Sequence, residues 1–144
     1  MLLAGDTGLH FLDLETGATS AIADPEPELV DNRFNDGKCS PDGRFFAGTI
    51  SLTKQEGTAT LYRLDADASL HTAHAGVTNS NGIAWSADGQ TCYYIDTPTQ
   101  RVVAFDYCSN SGELTSPKPV IDTSHVGSSP DGMAIDSDGN LWVA

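Results

Sequence analysis

An Asp-Gly pair flanked by apolar stretches occurs three times, at Asp42-Gly43, Asp88-Gly89 and Asp138-Gly139, so the motif recurs after 46 and then 50 residues. A repeat at this period constrains the fold strongly, because one small unit must then stack on copies of itself. Each pair follows a short strand-like segment: Gly37 to Ser40, Ile83 to Ser86 and Met133 to Asp136. Each precedes a β-rich one: Phe45-Phe46-Ala47-Gly48-Thr49-Ile50, Thr91-Cys92-Tyr93-Tyr94-Ile95 and Leu141-Trp142-Val143. Asp-Gly between two such runs is a hairpin signal, since both residues tolerate positive φ.

A second element recurs out of phase with the first. Leu9-His10-Phe11-Leu12-Asp13, Thr60-Leu61-Tyr62-Arg63-Leu64-Asp65 and Arg101-Val102-Val103-Ala104-Phe105-Asp106 each read as a strand ending in Asp, followed by a polar turn and a weaker strand. No helical periodicity of useful length interrupts the pattern. The unit is four short antiparallel strands over about 45 residues, the signature of a propeller blade. The expected fold is therefore all-β, a partial β-propeller of four-stranded blades. It divides into a partial blade at 2–24, full blades at 33–77 and 79–122, and a partial blade at 129–144. Propellers close with about four to eight blades. Roughly three blades' worth predicts a chain that is truncated or completed by a partner, with open sheet edges that invite self-association.

Charge narrows the partners. Seven Lys and Arg stand against 20 Asp and Glu, a formal net charge of −13, spread without long acidic runs. Such a surface repels phosphate backbones and anionic lipid, so neither nucleic acid nor a membrane is expected as a partner. No apolar run approaches the roughly 18 residues of a membrane span. The opening Met1-Leu2-Leu3-Ala4-Gly5-Asp6 has no basic leader, so no signal peptide is expected. Cys39, Cys92 and Cys108 are odd in number and widely spaced, which predicts reduced thiols and a cytoplasmic protein.

Seven residues before each Asp-Gly stand Asn35, Asn81 and Asp131, all short oxygen-bearing side chains ahead of the first strand of their repeat. In a propeller those strands surround the axis, so three oxygens from three blades would converge, as a hard cation requires. The plainer alternative is that each caps a turn. Two residues further upstream lie Arg33, Asn79 and Ser129. Arg33 either forks onto a substrate oxygen or balances Asp31 or Asp36.

Other motifs read as structure. His71-x-x-His74 places its rings on opposite faces of a strand. Asp65-x-Asp67-x-Ser69 and Asp136-x-Asp138-x-Asn140 begin like calcium loops but have Leu70 and Leu141 where Gly is needed, and read as turns. Ser128 or Ser129 beside His125 lacks the Gly-x-Ser-x-Gly elbow of a serine hydrolase. Trp85, Trp142 and Tyr94 are expected to fill the space between blades.

The longer segments resemble the SMP-30/gluconolactonase family, which includes regucalcin. They are Arg33-Phe34-Asn35-Asp36-Gly37-Lys38, Ser40-Pro41-Asp42-Gly43-Arg44-Phe45-Phe46-Ala47-Gly48-Thr49, Ser80-Asn81-Gly82-Ile83-Ala84-Trp85-Ser86, Tyr93-Tyr94-Ile95-Asp96 and Pro130-Asp131-Gly132-Met133-Ala134-Ile135-Asp136. The resemblance implies a six-bladed propeller, one divalent metal ion such as calcium or zinc, and hydrolysis of small-molecule lactones of sugar acids. It further implies Asn81 and Asp131 as metal ligands, Asp131 as general base, and Arg33 and Asn35 as substrate-positioning residues. Two family features are not found. The Gly-Glu-x-Pro type motif bearing the remaining ligand is absent, and Ile50-Ser51-Leu52-Thr53 stands where acidic residues often follow the Ala-Gly-Thr strand. The alternatives to a lactonase are a non-catalytic calcium-binding or interaction propeller, of which a pure scaffold has no reason to keep the polar ring, and an inactive truncated product.

Overall fold

The computed structural model describes residues 1–144. Thirteen strands form four antiparallel sheets. The first contains β1 (Leu2–Gly5), β2 (Gly8–Leu12) and β3 (Thr19–Ala23). The second runs in order through β4 (Asn32–Cys39), β5 (Phe45–Ser51), β6 (Ala59–Leu64) and β7 (Leu70–Val77). The third repeats that order with β8 (Ser80–Trp85), β9 (Thr91–Asp96), β10 (Arg101–Cys108) and β11 (Glu113–Asp122). A two-stranded sheet, β12 (Met133–Ile135) and β13 (Leu141–Val143), follows. The only helical elements are single 3-10 turns at Thr97–Thr99 and Ser124–Val126. This is a partial β-propeller, and no helix in it is long and apolar enough to cross a membrane.

The hairpins form as the Asp-Gly pairs suggest, with one correction to the reason. Gly43, Gly89 and Gly139 adopt φ of 91°, 67° and 85°, whereas their Asp partners stay at negative φ. In each turn the Gly N–H donates back across three residues, to Ser40 O, Ser86 O and Asp136 O. Only the glycine needs the left-handed region; the aspartate supplies polar anchoring, as where Asp88 Oδ1 accepts from Ser86 Oγ and Gln90 N. The strand expected to end at Asp106 instead runs on to Cys108, because Tyr107 beyond it is only 6 % exposed and packs on Phe46 and Trp85.

Both faces of the middle sheets are buried, and strand alternation divides their side chains between two cores. Phe46, Leu61 and Val77 from the second sheet meet Ile83, Trp85, Tyr94, Phe105 and Tyr107 from the third. The opposite face of the second sheet sends Phe34, Ala47, Tyr62 and Leu64 against Leu9 of the first. Ala84, Ile95 and Val102 of the third sheet pack on Met133 of the last. Each large apolar side chain so buried contributes roughly 1.5–3 kcal/mol. Burial on both faces is why these strands read as continuous apolar runs rather than alternating ones. Trp142 lies on the last sheet, against which no further sheet of this chain packs. It is 65 % exposed, and its Nε1 donates to Asp136 Oδ2 at 2.9 Å.

Polar latches join the sheets where apolar area ends. Glu26, in the loop between β3 and β4, accepts from Thr49 Oγ1, Tyr62 Oη and Asn32 Nδ2 at 3.0, 2.9 and 2.9 Å. Burial, more than this carboxylate neighbour, pushes the Tyr62 phenol up to about 12. At the Asp-Gly end, Arg44 pairs with Asp42 and donates to the carbonyls of Ser109 and Asn110 in the turn between β10 and β11.

The leading strands β4, β8 and β12 lie side by side, with β8 in contact with both neighbours. Lys38 on β4 reaches past β8 to donate to Met133 O on β12 at 3.1 Å. Gly82 N on β8 donates to Asp131 O, just before β12, at 3.0 Å. That approach requires glycine, since a Cβ at Gly82 would fall 2.7 Å from Asp131 O and 2.7 Å from Met133 Cβ. Gly82→Ala is therefore expected to cost about 1–3 kcal/mol through overpacking, read as a lowered urea midpoint. Unchanged stability would show that the two strands have room to part.

His74 on β7 packs edge-on against Phe105 and Tyr94, with ring centroids 5.2 and 6.2 Å away. Burial holds its pKa below 6.5, with the charge of Asp96 opposing only in part. The folded state thus prefers neutral His74. Its contribution is complete above pH 6.5 and is lost as pH falls through the depressed folded value. Asp96, whose carboxyl is raised above 3.8 by burial, acts in the opposite sense in the carboxylate range, where its protonation favours the folded state. Melting temperature is expected to drop between pH 7 and pH 5, and to drop less in His74→Phe. Parallel curves would assign the acid limb to other groups.

Candidate functional site

The leading strands carry a β-bulge at matching places. The β4–β5 register shifts between Phe34 and Gly37, around Asn35, and the β8–β9 register shifts between Asn81 and Ile83, beside Asn81. Bulges re-aim side chains and gather next to functional sites. Here they coincide with two of the three oxygen-bearing positions that precede the Asp-Gly turns.

Asn35 is exposed, yet its amide nitrogen is committed. Nδ2 donates to Asn79 Oδ1 at 3.2 Å and to Ser80 O at 2.9 Å, bridging the second and third sheets. An amide has two such protons, so only Oδ1 remains available, and it accepts from Arg33 Nη1 at 3.4 Å. Arg33 itself, on β4 opposite Ile50, makes no ion pair with Asp31 or Asp36. Its Nη1 donates to Phe34 O at 2.8 Å. The charge-balancing alternative is therefore not what the structure contains.

Asn81 is 4 % exposed on β8. Its Nδ2 donates to Thr97 Oγ1 at 3.1 Å, while Oδ1 accepts no protein hydrogen bond and is not sealed from solvent. Asp131 is exposed and its carboxylate accepts no hydrogen bond. Its backbone is held on both sides, through Gly82 N to Asp131 O at 3.0 Å and through Asp131 N to Ala144 O at 2.9 Å. Asn81 on β8 is thus tied to the segment carrying Asp131 ahead of β12, with Asn35 one sheet away and turned toward Asn79.

The donor set allows a test of fit to a metal ion. Free amide and carboxylate oxygens are hard donors, suited to a cation of the calcium type. Nowhere do three or more His, Cys, Asp or Glu side chains gather in a way that could hold a metal. In donor chemistry Asn81 and Asp131 suit such an ion, and by themselves they do not make a complete cage.

Two residues that the repeat did not single out support this corner. Asp96 Oδ1 accepts from Asn79 N at 2.8 Å and its carboxylate also receives Thr78 N, holding the approach to Asn81. Thr97, next in sequence, accepts from Asn81 and donates to Pro130 O at 2.8 Å. Both follow the apolar run Tyr93-Tyr94-Ile95, and nothing in their spacing points inward. Beside them opens a cleft of about 750 Å³ whose lining includes Lys54, Glu56, Asn79, Asp96, Thr97 and Ser129.

The remaining motifs behave as structure. His71 pairs with Asp65 at 3.4 Å at the sheet margin while His74 enters the core. Asp67 caps its own turn through Ser69, and Asp136 accepts from the backbone of Asp138 and Asn140. The Trp142 indole, then Asn140, holds the Asp136 carboxyl down at about 2. Ser128, Ser129 and His125 are exposed, with no hydrogen bond joining them. All three cysteines are free.

Over residues 1–144 the chain matches the family described as the SMP-30/Gluconolactonase/LRE-like region. A putative sugar lactone lactonase, YvrE, of Bacillus subtilis is 39% identical over 144 residues, all of this chain and 49% of that protein. Regucalcin of Danio rerio is 40% identical over 145 residues, 99% of this chain and 49% of its own length. Among solved structures, a luciferin-regenerating enzyme superposes with a TM-score of 0.92 at 31% identity, covering 99% of this chain and 50% of the other. A calcium-binding protein, regucalcin, from Agrobacterium tumefaciens gives the same TM-score at 30% identity, covering 99% and 48%. The chain spans about half the length of the curated relatives it matches. Agreement over the whole of this chain, in sequence and in backbone, means that the chain belongs to the SMP-30/gluconolactonase/LRE-like family.

Proposed function

We propose that the chain carries part of the active site of a divalent-metal-dependent hydrolase that opens sugar-acid lactones. The observation that carries this reading is the pair of oxygens, Asn81 Oδ1 and the Asp131 carboxylate, free of protein hydrogen bonds on β8 and on the segment that the Gly82–Asp131 bond holds beside it. The lactonase name of the Bacillus subtilis relative supports the substrate class, and the calcium-binding Agrobacterium relative supports a hard cation. Asn81 and Asp131 would hold that ion, and their all-oxygen chemistry favours calcium over zinc. When bound, it supplies Lewis-acid polarisation of the ester carbonyl.

The chain's own residues do the rest. Asp131 accepts, on a carboxylate oxygen, the proton of the attacking water. Arg33, with Nη1 committed to Phe34 O, keeps its other N–H groups for hydroxyls of the sugar ring. Asn35 has both amide protons engaged between the sheets, so it meets the substrate only as an acceptor, through Oδ1. Arg33 and Asn35 together hold the ring so that its carbonyl faces Asp131.

Protein spanning a whole propeller and carrying these residues is expected to hydrolyse gluconolactone with added calcium or zinc and to stop in EDTA. Asp131→Asn should lower turnover by about 10²–10⁴-fold with an unchanged circular dichroism spectrum. The 144-residue chain by itself is expected to bind calcium weakly and to turn over little lactone. An undiminished rate in Asp131→Asn would remove Asp131 from the mechanism. Calcium binding without any turnover in the whole propeller would mark a non-catalytic binder.

A further inference from the structure

Thr97 heads the 3-10 turn after β9 and touches both halves of the site. Its backbone N–H donates to Asn79 O at 3.1 Å, two residues before Asn81. Its hydroxyl donates to Pro130 O at 2.8 Å, one residue before Asp131, and accepts from Asn81 Nδ2 at 3.1 Å.

A threonine hydroxyl has one proton, and a carbonyl oxygen can only accept. The Thr97 proton is therefore committed to Pro130. Asn81 must then present its NH2 group to Thr97, because the reverse orientation would set two acceptors against each other without a proton between them. The oxygen and nitrogen ends of an asparagine amide are nearly equal in size, so packing alone chooses poorly between them. One hydroxyl thereby decides which end of Asn81 is left free, and the free end is the oxygen.

We propose that Thr97 is a positioning residue: its hydroxyl fixes the Asn81 amide with Oδ1 unengaged and ties that amide to the segment carrying Asp131. Its consequence for a cation rests on the reading of Asn81 and Asp131 as ligands. Without the hydroxyl no partner selects which end of the Asn81 amide is left free, and the flipped amide offers a cation N–H groups in place of an oxygen. Loss of such an orienting partner typically weakens metal binding about 10–100-fold.

Thr97→Val removes the hydroxyl at nearly constant volume, and Thr97→Ser keeps it. In the ¹⁵N-labelled full chain, the Asn81 side-chain NH2 is expected to exchange slowly with solvent in the wild type and in Thr97→Ser, and rapidly in Thr97→Val. Calcium titrated calorimetrically should bind about 10–100-fold more weakly to Thr97→Val, with affinity restored in Thr97→Ser. Equal exchange and equal calcium affinity in wild type and Thr97→Val would overturn the proposal. Should Thr97→Val fail to fold, the wild type decides alone: rapid exchange of the Asn81 NH2 group overturns it, and protection upholds it. A protected amide in a wild type that binds no calcium would uphold Thr97 as the anchor of Asn81 while sinking the metal reading of the site.

Discussion

Apolar side chains leave both faces of the two four-stranded sheets, and neither sheet can satisfy both faces without a neighbour on each side. Phe46 and Leu61 face one way from the second sheet, and Ala47 and Tyr62 the other. Face-to-face stacking follows, and with it the alignment of every leading strand beside the next. The site depends on that alignment, because Asn35 and Asn81 lie on the leading strands of two sheets, Asp131 lies just before that of a third, and about a blade of sequence separates each from the next. None of them has a local reason to meet another.

Hydrogen-bond accounting then determines what each side chain has left to offer. Asn35 has no free amide proton, Asn81 has a free oxygen, and Thr97 has no free proton. Committed donors of this kind are rigid as well as satisfied, since moving one strands a polar group at a cost of about 1–3 kcal/mol. Asp96 extends the same logic to the backbone, receiving the N–H groups of Thr78 and Asn79 that lead into β8. The outcome is a site that leaves acceptors and donors for a ligand, among them the Asn81 oxygen, the Asn35 oxygen beside Arg33, the Asp131 carboxylate and most of the Arg33 guanidinium.

Much of the fold was legible because its determinants are local. The Asp-Gly turns at Asp42, Asp88 and Asp138 announce hairpins through glycine's tolerance of positive φ, and their spacing reveals the repeat. Strand limits were less legible. Asp106 resembles a strand terminus, and β2 and β6 do stop at Leu12 and Leu64, just before Asp13 and Asp65, but Tyr107 draws β10 onward into the aromatic cluster with Phe46 and Trp85. Trp142 reads as core and is exposed on the last sheet, which has no further sheet of this chain packed against it. In the site, the recurring Asx positions were visible as a register, whereas Asp96, Thr97 and the reach of Lys38 were not. Their roles are made by partners 16 to 95 residues away.

From the chain's order of residues alone came the four-strand unit, its repetition, the family resemblance and the choice of Asn35, Asn81 and Asp131 as polar positions ahead of their strands. Periodicity and turn chemistry are properties of neighbours in sequence, so they survive without coordinates. Which atom of each side chain is spent and which is free was decided only when the sheets stacked. A hydrogen bond requires two groups within about 3 Å, and Gly82 lets β8 and the Asp131 segment approach closely enough for Thr97 to mediate between them.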